Sequence, residues 1–249
     1  MPLLLPRPFP PNTKISMTKV LHYKMNDNAE SSAVIESTTW SVDGVFVGNL
    51  GGVDSYTNRH DVAGKINNAL NFDWGTTAER DYIDGGTAAQ LLPPDMTISV
   101  WFRSDNNVDG NIIMAWATYF FVTIGYKSRA GYNSVEVYRA KDTGNYIRWD
   151  IATTTYDIFD GNWHHLLITM PNTTTQTGIT NFTAYLNSTN LGSSYASATT
   201  DAVVPFANFS VGDTITSGGY PFKGDLDDIR IYNRGLSTNE EITIYNRFK

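Results

Sequence analysis

The chain has no cysteine, so neither a disulfide framework nor a thiolate metal site is open to it. Basic residues are also few: 18 Lys and Arg stand against 25 Asp and Glu, for a formal net charge of -7. They form no run, so the clustered positive surface that holds phosphate backbones is missing and nucleic acid is not an expected partner. No stretch approaches the roughly 18 apolar residues that a membrane-spanning helix requires, so no membrane span is expected. The opening residues Leu3, Leu4 and Leu5 run into Pro6, Pro8, Pro10 and Pro11, too short and proline-rich a segment for a secretory signal. The helix formers Leu, Glu, Lys and Arg are thin throughout.

Thr, Ser, Asn, Gly and Tyr are abundant instead, a composition suited to half-buried strands and the turns between them. Aromatics make up 13% and apolar residues 41% of 249 residues, enough for one substantial core. Residues 1–18 read as a proline-rich extended arm. Leu3, Leu4, Leu5 and Phe9 are apolar with no evident partner in their own segment, so the arm is either a tail or a docking element for assembly.

From Lys19 to Lys249 the signal is one domain of strands. Ile98, Val100 and Phe102 alternate with Ser99, Trp101 and Arg103, and His164, Leu166, Ile168 and Met170 alternate with His165, Leu167 and Thr169. Phe182, Ala184 and Leu186 oppose Thr183 and Tyr185, while Ile229 and Ile231 oppose Asp228 and Arg230. A dozen or so such strands without a long helical pattern predict two packed antiparallel sheets. One short helix is expected at the C-terminus, where Ser237 and Glu240 have capping-box spacing and Ile242 and Tyr245 share a face.

The order of several short motifs resembles the laminin G-like, concanavalin A-like lectin/glucanase superfamily. Tyr23-Lys24-Met25-Asn26-Asp27 resembles its first strand, and Gly64-Lys65-Ile66-Asn67-Asn68-Ala69-Leu70-Asn71-Phe72-Asp73 its Gly-Lys-x-x-x-Ala-Leu-x-Phe-Asp segment. Thr97 to Phe102 resembles the Ser-x-Trp strand, Asp160-Gly161-Asn162-Trp163-His164-His165 the most recognisable run, and Gly224 to Ser237 the closing strand. The resemblance implies an all-β, two-sheet antiparallel jelly-roll sandwich. The hairpin residues Asn187-Ser188 depart from the family's Asp-Gly.

The resemblance also implies candidate chemistry. Asp228, with Asp27 and nearby carbonyls, maps onto the hard oxygens of a structural Ca²⁺. Trp101, Trp163 and Tyr185 lie opposite the expected core and suit a sugar platform, with Trp149 and Tyr156 as companions; the alternative is that these rings are covered or packed in a second small core. Glu79-Arg80-Asp81-Tyr82-Ile83-Asp84 approximates the carboxylate strand of laminarinase-like glucanases, whose retaining chemistry needs carboxyl groups about 5 to 5.5 Å apart, but the last member is one methylene short. His164 and His165 point to opposite faces and cannot grip one metal ion together.

Two functions compete. One is a non-catalytic structural or assembly protein, such as a virion decoration or appendage component, anchored through the arm. The other is an extracellular carbohydrate- or surface-binding adhesion module. A glucanase-like hydrolase is a distant third. The expected place is outside a cell or on a virion surface.

Overall fold

The computed structural model describes residues 19–26, 33–38, 42–48, 62–76, 79–87, 95–107, 110–125, 133–142, 145–153, 156–171, 181–192, 195–198, 208–215 and 219–249. Asp27 and the arm of Leu3, Leu4, Leu5 and Phe9 lie outside them.

Alternation of apolar and polar residues produces two antiparallel sheets packed face to face. The first has eight strands among the described residues, in the order Thr189–Asn190, Thr183–Leu186, His164–Met170, Met96–Arg103, Gly224–Tyr232, Asn68–Phe72 and Val62–Ala63, with Lys19–Tyr23 also paired to Gly224–Tyr232. The second has nine, running from Tyr195–Ala198 through Asn145–Ala152, Ser134–Asp142, Phe120–Ile124, Asn111–Trp116, Asn208–Val211, Tyr82–Thr87 and Gly44–Val47 to Ala33–Val34. This is the jelly-roll sandwich that the motif order implied.

Every inward residue named from the alternation is buried. Ile98, Val100, Phe102, Leu166, Ile168, Ile229 and Ile231 all sit in one core with Trp116, Phe120, Phe209 and Val211 of the second sheet. Trp149 belongs to this core too, packed on Phe182 at 6.2 Å between ring centroids, so it is not the sugar-facing companion expected of it. The hairpin at Asn187-Ser188 turns with both residues at positive φ, 52° and 66°. Two successive left-handed residues match the right-handed twist of the flanking strands, and the turn works here without the family's glycine. Asn187 Oδ1 accepts the His165 N–H at 2.9 Å, tying the turn to the neighbouring strand.

The helix spans Thr238–Asn246, and Glu240 Oε2 accepts from the Ser237 N–H at 2.9 Å, the carboxylate half of the capping box. Arg234 also grips Glu240 and holds its carboxyl down at about 2. The helix's buried face matches the expected one at Tyr245, which lies over Trp101, and differs at Ile242, which is 38% exposed while Ile244 and Glu241 face the sheet. Ile244 joins Leu167, Tyr232 and Leu236 in a second small core on the outer side of the first sheet. The apolar patch made by Leu167 and Tyr232 selects the face that carries Ile244.

Replacing Ile168 by Ala removes a fully buried side chain from between the sheets and is expected to cost about 2 to 5 kcal/mol. Urea unfolding measures this, and a loss below about 0.5 kcal/mol, typical of surface substitutions, would contradict the inward register.

Candidate functional site

Three neighbouring strands of the first sheet carry a row of polar side chains on their outward face. Asn71 pairs with Asp225, and Asp225 pairs with Arg103 across the ladder. Each alternates with a core residue (Leu70 and Phe72, Leu226, Phe102), so the pleat itself turns all three outward. Asn71 Nδ2 donates to Asp225 Oδ1 at 2.7 Å, and Arg103 Nε donates to Asp225 Oδ2 at 2.7 Å. The Arg103 guanidinium in turn lies over the half-buried Trp163 ring, 4.9 Å from its centroid. The row therefore runs amide, carboxylate, guanidinium, indole.

Beside it opens a groove of about 280 Å³, also lined by Asp73, Ser104, Asp105 and Lys223. Lys223 Nζ pairs with Asp73 at 2.8 Å, and Ser104 Oγ donates to the Lys223 carbonyl at 2.6 Å. Gly224, at φ 139°, lets the backbone close on this edge: a Cβ there would collide with the Arg103 carbonyl. A carboxylate has about four acceptor positions, so Asp225 keeps capacity for hydroxyl donors after serving Asn71 and Arg103.

The sequence placed Trp163 in a site but missed Arg103, Asp225 and Asn71. Their signal was present in the alternation, since each is the outward neighbour of a core residue. The other two platform candidates are covered. Trp101 is only 2% exposed, stacked under Tyr245 at 5.7 Å and beside His165 at 4.8 Å, with Lys65 Nζ 4.9 Å over its ring. Tyr185 is 7% exposed, its hydroxyl 3.1 Å from Thr238 Oγ1 at the start of the helix. Both belong to the surface that the helix caps. Tyr156 is partly buried against the core, its hydroxyl 2.8 Å from Thr189 Oγ1.

The histidines diverge as adjacent strand residues must. His164 Nε2 meets Asp160 at 3.0 Å and Nδ1 meets Asn187 at 3.0 Å, whereas His165 Nε2 meets Ser99 Oγ at 2.9 Å on the outer face. In the glucanase-like segment, Asp81 is fully buried and its Oδ2 accepts the Asp73 N–H at 2.8 Å.

For calcium, Asp228 does not fit the role of an open ligand. Its carboxylate accepts from Arg230 at 2.7 to 3.2 Å and meets His22 Nε2 at 2.7 Å, so a cation there would face a guanidinium at contact distance. Among the described residues no three His, Cys, Asp or Glu side chains gather as a metal site. The neighbouring Asp227 is differently placed. Its Oδ2 accepts the Ile66 N–H at 2.7 Å, its Oδ1 is buried without a hydrogen bond, and burial, reinforced by the Asp228 charge, pushes its carboxyl up to about 7.

The structure is thus a jelly-roll sandwich with a polar, tryptophan-flanked groove at one edge of its first sheet. The family model described as the concanavalin A-like lectin/glucanases superfamily matches residues 75–242, and the chain belongs to that superfamily. A search of curated protein sequences found no match. Among solved structures, it is similar to domain 4 of AbnA, a GH43 extracellular arabinanase from Geobacillus stearothermophilus, in complex with arabinotriose: 18% identity over 92% of this chain and 98% of that one, with a TM-score of 0.63. It is also similar to the binding domain of botulinum neurotoxin DC in complex with rat synaptotagmin II, at 13% identity, 93% and 52% coverage and TM-score 0.60. A botulinum neurotoxin type C structure, concerned with interaction with two ganglioside molecules, matches at 12% identity, 93% and 51% coverage and TM-score 0.59. The chain spans about half the length of these toxin structures. At such identities the likeness is one of fold.

Buried ionisable groups give the domain a mixed response to pH. Burial pushes His165 down to about 3 and lowers His22, whereas burial pushes Asp213 up to about 6 and Asp227 up to about 7. Below about pH 6.5 the unfolded chain takes up a proton that folded His165 refuses, so stability from this residue is lost as pH falls toward 3. The two carboxyls act oppositely: the folded state retains protons that the unfolded chain releases above 3.8, so stability is lost as pH rises through their folded values. Comparing wild type with His165→Gln isolates the first effect. The wild-type advantage is expected to shrink by up to about 1.4 kcal/mol per pH unit from about pH 6 to about pH 4. Urea unfolding across that range reads it, and a constant difference would mean that His165 titrates normally in the fold.

Proposed function

We propose that the domain is a non-catalytic carbohydrate-binding module, acting outside a cell or on a virion surface, and that its sugar lies in the groove flanked by Trp163. The observation that carries this reading is the outward row Asn71, Asp225, Arg103, Trp163. Sugars offer hydroxyls that both donate and accept, together with apolar C–H faces. The row answers with an amide, a carboxylate and a guanidinium lining the groove, and an indole beside the guanidinium. Arabinotriose bound to one fold neighbour makes arabino-oligosaccharides a sensible first probe. The non-catalytic reading draws support from Asp81, which is buried and committed to a backbone N–H rather than facing solvent.

In calorimetric titration with arabinotriose and other neutral oligosaccharides, Trp163→Ala is expected to weaken binding by about tenfold or more, because truncating an aromatic anchor typically costs most of a contact's affinity. Its melting temperature should stay close to that of wild type, since the ring is half-buried at an edge. Equal affinity in both proteins would remove Trp163 from the site.

The assembly reading is a separate proposal, resting on Leu3, Leu4, Leu5 and Phe9. Prolines restrict the arm before it docks, so it loses less entropy on binding, and each apolar side chain buried on a partner contributes about 1.5 to 3 kcal/mol before the costs of association. Deleting residues 1–16 is expected to leave a folded monomer that no longer joins its oligomer or scaffold. Light scattering and circular dichroism decide it: unfolding would place the arm in the core, and unchanged assembly would reduce it to a tail.

A further inference from the structure

A second groove, of about 660 Å³, lies farther along the last strand, between Lys19–Tyr23, the closing end of Gly224–Tyr232 and the C-terminal tail. Its volume falls in the range of small-ligand pockets, ~300 to 1,000 Å³. In a chain of net charge -7, this groove gathers Lys19, Lys24, Arg230 and Arg247 against one lining carboxylate, Asp228.

The hydrogen bonds show which cations are already neutralised. Asp228 is taken by Arg230, whose nitrogens reach both of its oxygens, and by His22 Nε2. Lys19 Nζ donates to His22 Nδ1 at 2.9 Å, which leaves Nε2 as the protonated nitrogen of a neutral imidazole. Burial lowers the His22 pKa, in keeping with that neutral ring. Lys19 is therefore held by a group without charge. Glu36, the other acid near it, spends its carboxylate on the His22 and Thr38 N–H groups and the Thr38 hydroxyl. Burial first, and then Arg230, press the Lys19 pKa down. Among the described residues, Lys24 and Arg247 have no carboxylate partner, and both are exposed.

Two further features shape what would fit. The guanidinium groups of Arg230 and Arg247 lie over the Phe248 ring, 5.0 Å and 5.4 Å from its centroid, which orients both. The amides of Asn26 and Asn67 line the same groove; Asn26 uses its Oδ1 on the Asn68 N–H and leaves its Nδ2 as a donor. Uncompensated cations call for an oxyanion, and the amides beside them call for hydroxyls.

We infer that this groove binds an acidic saccharide, a sugar carrying a carboxylate or sulfate, with Lys19, Lys24 and Arg247 facing the anion, the amides of Asn26 and Asn67 facing its hydroxyls, and Phe248 holding the guanidinium groups in place. It is independent of the Trp163 groove and does not require that one to bind sugar.

The test is calorimetry on the full chain with a uronic acid oligosaccharide, a sulfated oligosaccharide, a neutral oligosaccharide of equal length, and inorganic sulfate. At least one acidic oligosaccharide should bind, more weakly as salt is raised. Lys24→Gln combined with Arg247→Gln should weaken that binding by about tenfold or more, since each removes a charge-assisted contact. These side chains are exposed, so the variant should keep the wild-type melting temperature, and Trp163→Ala should leave this binding unchanged. Which acidic probe binds identifies the anion. The proposal fails if neither binds at millimolar concentration, if the neutral oligosaccharide binds equally, or if the double variant binds as wild type does. Inorganic sulfate competing at the same concentration as the sugar would reduce the site to one for a free anion and overturn the saccharide assignment.

Discussion

The bulge at Asp228-Ile229 is the constraint on which the rest of the first sheet depends. Along the last strand, Asp227 pairs with Trp101 and Arg230 with Ser99, so two residues, Asp228 and Ile229, face one partner residue. Asp228 absorbs the extra length at φ 50°, a left-handed conformation that aspartate tolerates better than most residues. Because the bulge shifts the alternation by one residue, Leu226 and Ile229 both point into the core while Asp225, Asp227, Asp228 and Arg230 all stay outside. It also divides the strand's other edge. Before the bulge that edge pairs with Asn68–Phe72, and after it with Lys19–Tyr23. One strand thus joins the N-terminal strand to the body of the sheet and carries both grooves.

The charges at the bulge explain why it stays where it is. A buried carboxylate without partners is costly, and these two solve the problem differently. Asp228 forms a buried pair with Arg230 and a hydrogen bond to His22, spanning the junction of first and last strands. Asp227 takes the Ile66 N–H and so pins the loop that leads into Asn68–Phe72. Sliding the strand by one residue would bury Asp227 or Arg230 among aliphatic side chains. Register is therefore fixed by the cost of misplacing charge as well as by the gain from burying Leu226, Ile229 and Ile231.

Much of the fold was legible because a period of two reports burial directly. Ile98, Val100 and Phe102 had to share a face, and polar neighbours made that face the inner one. The candidate site was less legible. Trp101, Trp163 and Tyr185 look alike in sequence, each opposite the core, yet only Trp163 stays at an open edge. What separates them is the helix at Thr238–Asn246, whose docking brings Tyr245 over Trp101 and Thr238 to Tyr185 from more than fifty positions away. No local pattern records that. The helix's own face was misread at Ile242, though not at Tyr245, because Ile242 and Ile244 are equally apolar and only the Leu167–Tyr232 patch decides between them. Arg103, Asp225 and Asn71 are ordinary charged or polar residues until ladder register sets them side by side.

The outer face of this sheet is thus partitioned by what covers it. Its middle is capped by the helix, where Trp101, His165 and Tyr245 stack and Glu241 receives the Thr169 hydroxyl at 2.8 Å. An edge groove lies to one side and a basic groove to the other. Asp225 and Arg230 mark them on one strand, opposite Arg103 and Ser99 of the neighbouring strand and so about 13 Å apart at the usual rise per residue. Side chains that far apart without shared partners contribute nearly additively, so chemistry can change in one groove without changing the other. The strand between them cannot easily transmit a shift, because the bulge is held on one side by Arg230 and His22 and on the other by the Ile66 amide. The last strand therefore acts as a rigid mount for two separate surfaces, one polar and flanked by tryptophan, the other cationic.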